Sequence, residues 1–366
     1  MKNSFGNSVT VTLFGESHGS VIGAVLDGIA PGIRIDHDYV AARMNERRPF
    51  GKCSTARCEE DKPEFLSGIY NGYTTGTPIC VVIRNADAKS SDYSAILDTP
   101  RPSHADYTAR CKYHGYEDAR GGGHFSGRVT AALVAAGAIV RSALEDKGIY
   151  VGTHISRLGG INDRTFEDHS SDVLALRSAQ FPTLDADSGE SMKQLIKELG
   201  EKGDSVGGVL ETAITGIPAG VGEPWFDTVE GLIAHALYSI PGVKGVEFGL
   251  GFGFADALGS EVNDAFTVED GEVRTVTNNN GGVNGGITNG MPIVFRTAIK
   301  PTPSIRTAQD TVSLSKMEKT KISVTGRHDP CIVPRARAVI DAVTAIAVAD
   351  MLTVRFGSDY LGNNKL

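Results

Sequence analysis

The chain has 366 residues, 40% of them hydrophobic, 22% charged and 7% aromatic, with 44 glycines in no collagen-like period. This composition excludes a disordered or fibrous chain and leaves room for a large buried core. The formal charge of −8 argues against a broad nucleic-acid or anionic-membrane surface, which must neutralise many phosphates, so any anion site has to be local.

Residues 9–14 and 21–27 alternate as strands, and a helix begins near Asp36 and stops at Pro49, carrying Arg43 and Arg47 four apart. Residues 65–70 and 78–84 read as further strands. A long polar loop with Pro100, Pro102 and Gly121-Gly122-Gly123 then leads into an apolar helix over 127–147. Beyond it, strands are expected at 149–158, 206–217, 245–254 and 292–299, and helices at 188–202, 226–239 and 334–356. The segment 163–183 shows no clear period, and 277–290 is rich in glycine and asparagine.

Strands fall in runs between helices, which predicts an α+β fold. No charged or serine-rich linker divides the chain, so residues 1–366 read as a single domain. The longest apolar runs, 129–144 and 336–352, are broken by Arg141, Asp341 and Asp350, which fits buried helices and not membrane spans. The N-terminal segment lacks the apolar stretch of a secretory signal. Five scattered cysteines, with no CxxC pair, fit reduced thiols and a cytoplasmic location.

Gly15-Glu16-Ser17-His18-Gly19 matches the GxSxG of serine hydrolases, but the residues after the serine alternate like a strand where a nucleophile elbow needs a helix. Gly249, Gly251 and Gly253 have the wrong spacing for a dinucleotide fingerprint. A metal site is not indicated, since neither HxH nor HExxH spacing occurs around His104, Asp106, His114, His124 or Asp329.

What remains is histidine and arginine set in glycine-rich turns. His18 lies between Ser17 and Gly19, and His104 lies in Arg101-Pro102-Ser103-His104-Ala105-Asp106. Small neighbours let an imidazole approach a ligand closely. Arginines recur in the same places, at Arg47, Arg48, Arg57, Arg101, Arg120, Arg128, Arg327, Arg335 and Arg337. Their guanidinium forks suit carboxylates and phosphates, so they either form surface ion pairs or converge on a polyanion. The run from Arg120 to Arg128, opening an apolar helix, favours convergence, because helix N-termini bind anions. In Gly326-Arg327-His328-Asp329, the last two residues form an acid–base pair, or Asp329 caps the helix that follows.

Taken together, GESHGSVIGAVLDGIAPG, NERRP, RPSHADYTARCKYHGYEDARGGGHFSGR, KPTPSI and GRHDPC resemble the chorismate synthase family. The likeness runs from about Gly15 through the last helix and fades between about Arg157 and Gly203. It implies helices sandwiched between two antiparallel β-sheets, a homotetramer, and a cytoplasmic carbon–oxygen lyase of aromatic amino acid biosynthesis. The implied reaction is a 1,4-elimination of phosphate from 5-enolpyruvylshikimate 3-phosphate to give chorismate, with reduced FMN required and no net oxidation. NADPH enters only indirectly, as a reductant of the flavin, through an external reductase in a chain this short.

The resemblance also assigns residues. His18 assists the departing phosphate, His104 holds or donates a proton at the reduced flavin, and Asp329 helps remove the second proton. Arg47, Arg48, Arg57, Arg101 and Arg128 hold the substrate. FMN lies against His124, Phe125 and Ser126, against Pro241, Gly242 and Gly285, against Lys300, Pro301, Thr302, Pro303 and Ser304, and against Arg327. Two departures stand out, Pro241-Gly242 for the more usual Asn-Ala and His124-Phe125 for Arg-Ser. The rival readings are a flavin-dependent reductase and a non-catalytic flavin- or anion-binding protein.

Overall fold

The computed structural model describes residues 2–48, 61–85, 98–324 and 329–362. Two five-stranded antiparallel sheets frame it. The first runs in the spatial order Ser4–Phe5, Thr10–Gly15, Val21–Asp27, Ile79–Arg84, Glu64–Phe65. The second runs Val243–Phe248, Ile293–Ile299, Gly208–Thr215, Tyr150–Leu158, Ile161–Asn162. Residues 4–84 thus supply the first sheet and residues 150–299 the second, and helices fill the space between.

The helices Thr130–Glu145 and Val333–Phe356 pack on each other, the former against the first sheet and the latter against the second. Both are apolar around nearly their whole circumference, which drives a helix into a core and not onto a surface. Gly137 lets them touch: a Cβ there would lie 2.5 Å from the Cβ of Ala342. Two of the three charges that interrupt the apolar runs meet each other, while Asp350 accepts from the backbone N–H groups of Asn7, Ser8 and Val9. Arg141 Nη1 donates to Asp341 at 2.9 Å, Arg141 Nη2 to the Val151 carbonyl at 2.7 Å, and Thr153 Oγ1 to Asp341 at 2.6 Å. Burial opposes the Arg141 charge, but Asp341, Tyr39, Glu46 and Glu145 raise its pKa above the ordinary arginine value. Removing one member of such a buried pair costs about 3–5 kcal/mol, because the other is stranded.

The helix His37–Glu46 is tied into this network by Glu46, which pairs with Arg337 at 3.0 Å and Arg43 at 2.9 Å. Its start follows the sequence, with the Asp36 side chain accepting from Tyr39 N at 2.9 Å. Its end delivers Arg47 and Arg48 to the region described next.

Several segments differ from expectation. Residues 65–70 form two short pieces, Glu64–Phe65 and Ile69–Tyr70, in different sheets, because Gly68 turns the chain at φ 77°. The polar loop before Gly121 contains a helix, Asp106–Tyr113, and the segment 163–183 contains another, His169–Leu176, N-capped by Asp168. The strand expected at 245–254 is Val243–Phe248, followed by a 3-10 turn at Gly251–Asp256. Hairpins at Phe266–Glu269 with Glu272–Thr275 and at Gln309–Ser313 with Glu318–Ile322 carried no clear sequence signal.

Candidate active site

A cavity of about 1010 Å³ opens beside the N-terminal ends of the two central helices, bordered by Thr130 and Leu133 on one and Ala336 and Val339 on the other. Its charge contrasts with that of the whole chain. Lys2, Arg47, Arg48, Arg101, Arg128, Lys244, Lys300 and Arg335 line it, against Asp61 and Asp329. Such a cleft attracts anions despite the overall sign.

Gly15-Glu16-Ser17-His18-Gly19 forms the connection between the antiparallel strands Thr10–Gly15 and Val21–Asp27, so no elbow helix follows the serine. Ser17 N donates to the Gly123 carbonyl at 3.0 Å, which docks this turn on the triple-glycine loop. Gly121, Gly122 and Gly123 all have positive φ, at 60°, 85° and 53°. A Cβ on Gly121 would lie 2.2 Å from the His18 ring, and one on Gly122 would lie 3.3 Å from that of His104. The glycines therefore make room for the two histidines themselves, which stand on either side of the loop. His104 lines the cavity, whereas His18 is buried behind Gly121 and is not among its described lining residues.

His104 and Arg101 belong to one tight turn in which Ser103 takes φ 59° and its carbonyl receives the Lys300 ammonium. Arg101 donates to Asp106 through Nε at 2.8 Å and Nη2 at 2.7 Å, and to Ser304 Oγ at 3.1 Å. His104 Nδ1 lies 2.6 Å from Asp106 Oδ1. Burial works against the Asp106 charge, but Arg101 and His104 hold its carboxyl well below the usual range.

Arg47 and Arg128 converge on one carboxylate. Arg47 donates to Asp61 at 3.0 Å, to Thr130 Oγ1 at 3.0 Å and to the Gly127 carbonyl at 2.8 Å, and Arg128 pairs with Asp61 and with Asn85 Oδ1 at 3.0 Å. The expected arginine cluster exists, but four of the five arginines that line the cavity, Arg47, Arg101, Arg128 and Arg335, already hold internal carboxylates. Arg48 lines the cavity with its Nε buried and without a hydrogen-bond partner among the described residues. Arg57, Arg327 and His328 lie outside the described residues.

Asp329 is buried, accepts from Cys331 N at 3.2 Å and pairs with Arg335 at 2.8 Å. Arg335 Nε also donates to the Arg47 carbonyl at 2.9 Å, joining the two walls. His124 donates from Nδ1 to the Gly15 carbonyl at 2.8 Å, Phe125 packs edge-on against Tyr113, and both line the cavity with Ser126. Pro241, Gly242 and the whole run Lys300 to Ser304 line it too, and the Gly242 carbonyl accepts from Lys300 N at 2.9 Å. Gly285 is not among the lining residues. It sits in the turn between Val283–Asn284 and Ile287–Thr288, whose Gly286 carbonyl accepts from Val229 N at the far end of the helix Val229–Tyr238 from Pro241.

Sequence reasoning passed over Lys244, Asp61 and Lys2. Lys244 falls where the pairing of Val243–Phe248 with Ile293–Ile299 slips between Val243 and Gly245, a bulge that re-aims a side chain. Burial, and then Lys244 itself, lower the Lys300 pKa below the ordinary lysine value. The flanking valines mark a strand in the sequence, but the slip leaves no local signature.

The chorismate synthase family model matches residues 9–353. The chain belongs to the chorismate synthase family. A chorismate synthase from Pyrococcus abyssi is 48% identical over 96% of this chain and 97% of the relative. One from Thermococcus gammatolerans is 47% identical at the same coverage, and one from Dehalococcoides mccartyi is 45% identical over 96% of both chains. A crystal structure of chorismate synthase superposes with a TM-score of 0.77 at 31% identity, covering 96% of this chain and 94% of the other. The family and this fold thus agree on an α+β arrangement of helices between antiparallel sheets.

Proposed function

We propose that this chain converts 5-enolpyruvylshikimate 3-phosphate into chorismate and phosphate in the cationic cavity, with reduced FMN bound beside the substrate, as a step of aromatic amino acid biosynthesis. The observation that carries the reading is the pairing of a cation-lined cavity with two histidines packed on one glycine loop, in a chain that spans nearly the full length of its relatives.

The residues present fit a flavin mononucleotide and a phosphorylated dicarboxylate. Ligand pockets commonly run to about 300–1,000 Å³, so a cavity of about 1010 Å³ has space for two molecules. Arg48 Nε and Thr302 Oγ1 are buried with no hydrogen-bond partner among the described residues, and both residues line the cavity. Buried donors of this kind are normally satisfied, and phosphate or carboxylate oxygens would satisfy them. Bound in its reduced form, the flavin supplies the electron density that helps expel phosphate without net oxidation.

The chain's own part is binding and proton handling. Arg48, Lys244, Lys300 and Thr302 hold anionic groups, while His124, Phe125, Ser126, Pro241, Gly242 and the run from Pro301 to Ser304 border the flavin. His104 holds a proton at the cavity wall and His18 serves the leaving phosphate. Asp329, fixed by Arg335 and Cys331 N, accepts a proton. NADPH acts only as a distant reductant through a separate flavin reductase. A homotetramer in the cytoplasm is supported by the exposed faces of Trp225, Phe226, Phe252 and Phe266 and by the unpaired thiols of Cys80, Cys111 and Cys331.

The test is an anaerobic steady-state assay with the enolpyruvyl substrate and chemically reduced FMN. Chorismate should form only when reduced flavin is present. Equal turnover with oxidised flavin, or with none, refutes the proposal.

A further inference from the structure

We propose that Asp106 is a positioning residue that fixes the tautomer and ring plane of His104, leaving Nε2 as the nitrogen a ligand meets. This rests on the reading that His104 handles a proton. The sequence motif gives Asp106 no such role by itself, because an acidic residue opening a helix is a common stabilising feature of the first turn.

The geometry supplies the role. Four donors and one carboxylate meet in this turn. Asp106 Oδ2 accepts from Arg101 N at 3.0 Å and Arg101 Nε at 2.8 Å, and Oδ1 accepts from Arg101 Nη2 at 2.7 Å. His104 Nδ1 lies 2.6 Å from the same Oδ1 and 3.0 Å from Arg101 Nη2. A guanidinium can only donate, and so a bond from Arg101 to Nδ1 would require that nitrogen to be bare. The shorter contact is to the carboxylate, and Arg101 Nη2 already has Oδ1 to donate to. Nδ1 therefore carries the hydrogen and gives it to Asp106. In the neutral ring Nε2 is then the basic nitrogen, and in the charged ring it is the proton donor.

The other faces of the ring are fixed as well. The position of a Cβ on Gly122 would be 3.3 Å from His104 Cε1 and 3.5 Å from Nε2, so the glycine backbone closes one side. Ser103, at φ 59°, makes the sharp turn that puts His104 and Asp106 together, and the Lys300 ammonium anchors its carbonyl. A second cavity of about 340 Å³ is lined by both Asp106 and His104, while only His104 of the two lines the cation-lined cavity. His104 therefore borders both cavities.

Asp106→Asn is the informative variant. Its amide can donate to Nδ1, which moves the ring hydrogen to Nε2 and removes the base the cavity would meet. Turnover should fall by about 10²–10³, within the range for a misplaced acid or base, with KM and the reduced-FMN dissociation constant changed less than about threefold. Adding Asp106→Asn to His104→Ala should then cost less than about threefold more, because both changes remove the same function. Equal slowing by Asp106→Asn in the presence and absence of His104, or undiminished turnover of the single variant, overturns the proposal. Should the variant not fold, the wild-type protein carries the test by ¹⁵N-histidine correlation spectra, with the His104 signals assigned by their loss in His104→Ala. A neutral His104 protonated at Nδ1 is expected, and one protonated at Nε2 refutes the assignment. That readout does not depend on turnover, so failure of the functional reading would show separately, as a wild-type protein inactive on the enolpyruvyl substrate.

Discussion

Replacing Gly137 by alanine sets two magnitudes against each other. On propensity alone, Gly→Ala within a helix stabilises by about 1 kcal/mol. The new methyl, however, would lie 2.5 Å from Ala342 Cβ, 2.7 Å from Ala342 Cα and 3.0 Å from the Ala342 carbonyl oxygen. Carbons rest at about 3.5–4.0 Å, so the helices Thr130–Glu145 and Val333–Phe356 would have to part locally by about 1 Å. Neither obstructing carbon has a rotamer to change, which places the cost at the upper part of the ~1–3 kcal/mol range for overpacking. Asp341 is the neighbour of Ala342, and Arg141 follows Gly137 by one turn, so separation also stretches their 2.9 Å ion pair. A net loss of about 2–4 kcal/mol is expected once the buried charges loosen. Urea unfolding followed by circular dichroism measures it. The same displacement moves the helix ends that border the cavity, so KM for the enolpyruvyl substrate should rise. A Gly137→Ala protein as stable as wild type would refute the close contact on which this argument rests.

His18→Ala and His104→Ala should each lower single-turnover rates by about 10²–10⁴ with native circular dichroism, and either variant near wild-type rate returns that histidine to a packing role. Lys244→Ala should weaken FMN binding about tenfold, the worth of one charge-assisted hydrogen bond, and leave riboflavin binding unchanged; equal weakening of both ligands would show that Lys244 does not meet the phosphate. Burial opposes charging of His154, but Asp163 at 2.9 Å and Glu211 at 3.0 Å raise its pKa above the ordinary value. The stability it contributes is complete below about pH 6.5 and is lost as pH rises through the raised folded value. The urea midpoint should therefore fall on the alkaline side of neutrality, and less steeply in His154→Gln; identical slopes in the two proteins would refute this linkage.

How much of this was legible in the sequence depended on whether a residue's partner was local. The strand at Val21–Asp27, the Asp36 cap and both core helices announce themselves through alternation, capping and apolar runs. The helix Asp106–Tyr113 does not, because it buries only Ala109 and so leaves no apolar stripe. The triple glycine was readable as special backbone. What fills the space it leaves was not, since His18 comes from a turn more than a hundred residues earlier. Arg47 and Arg128 were recognisable as anion seekers, yet Asp61, which binds both, stands 14 and 67 residues from them with no motif around it.

That last pairing changes what the arginines mean. If every cation around the cavity were waiting for ligand, a protein of net charge −8 would have to keep a cluster of guanidinium groups together against their mutual repulsion whenever substrate was absent. Asp61 and Asp106 remove that difficulty for Arg47, Arg128 and Arg101 by joining them to the Thr130, Gly127 and Ser304 framework. These arginines gain fixed positions, and their internal partners reduce the positive charge they can offer to a ligand. Arg48, Lys244 and Lys300 stand on the same walls with no carboxylate partner among the described residues, so the attraction for an incoming phosphate or carboxylate falls more heavily on them. The cavity is therefore built from two populations of cations, one spent on shape and one left for binding, and only the second resembles the anion site that the sequence pattern alone suggests.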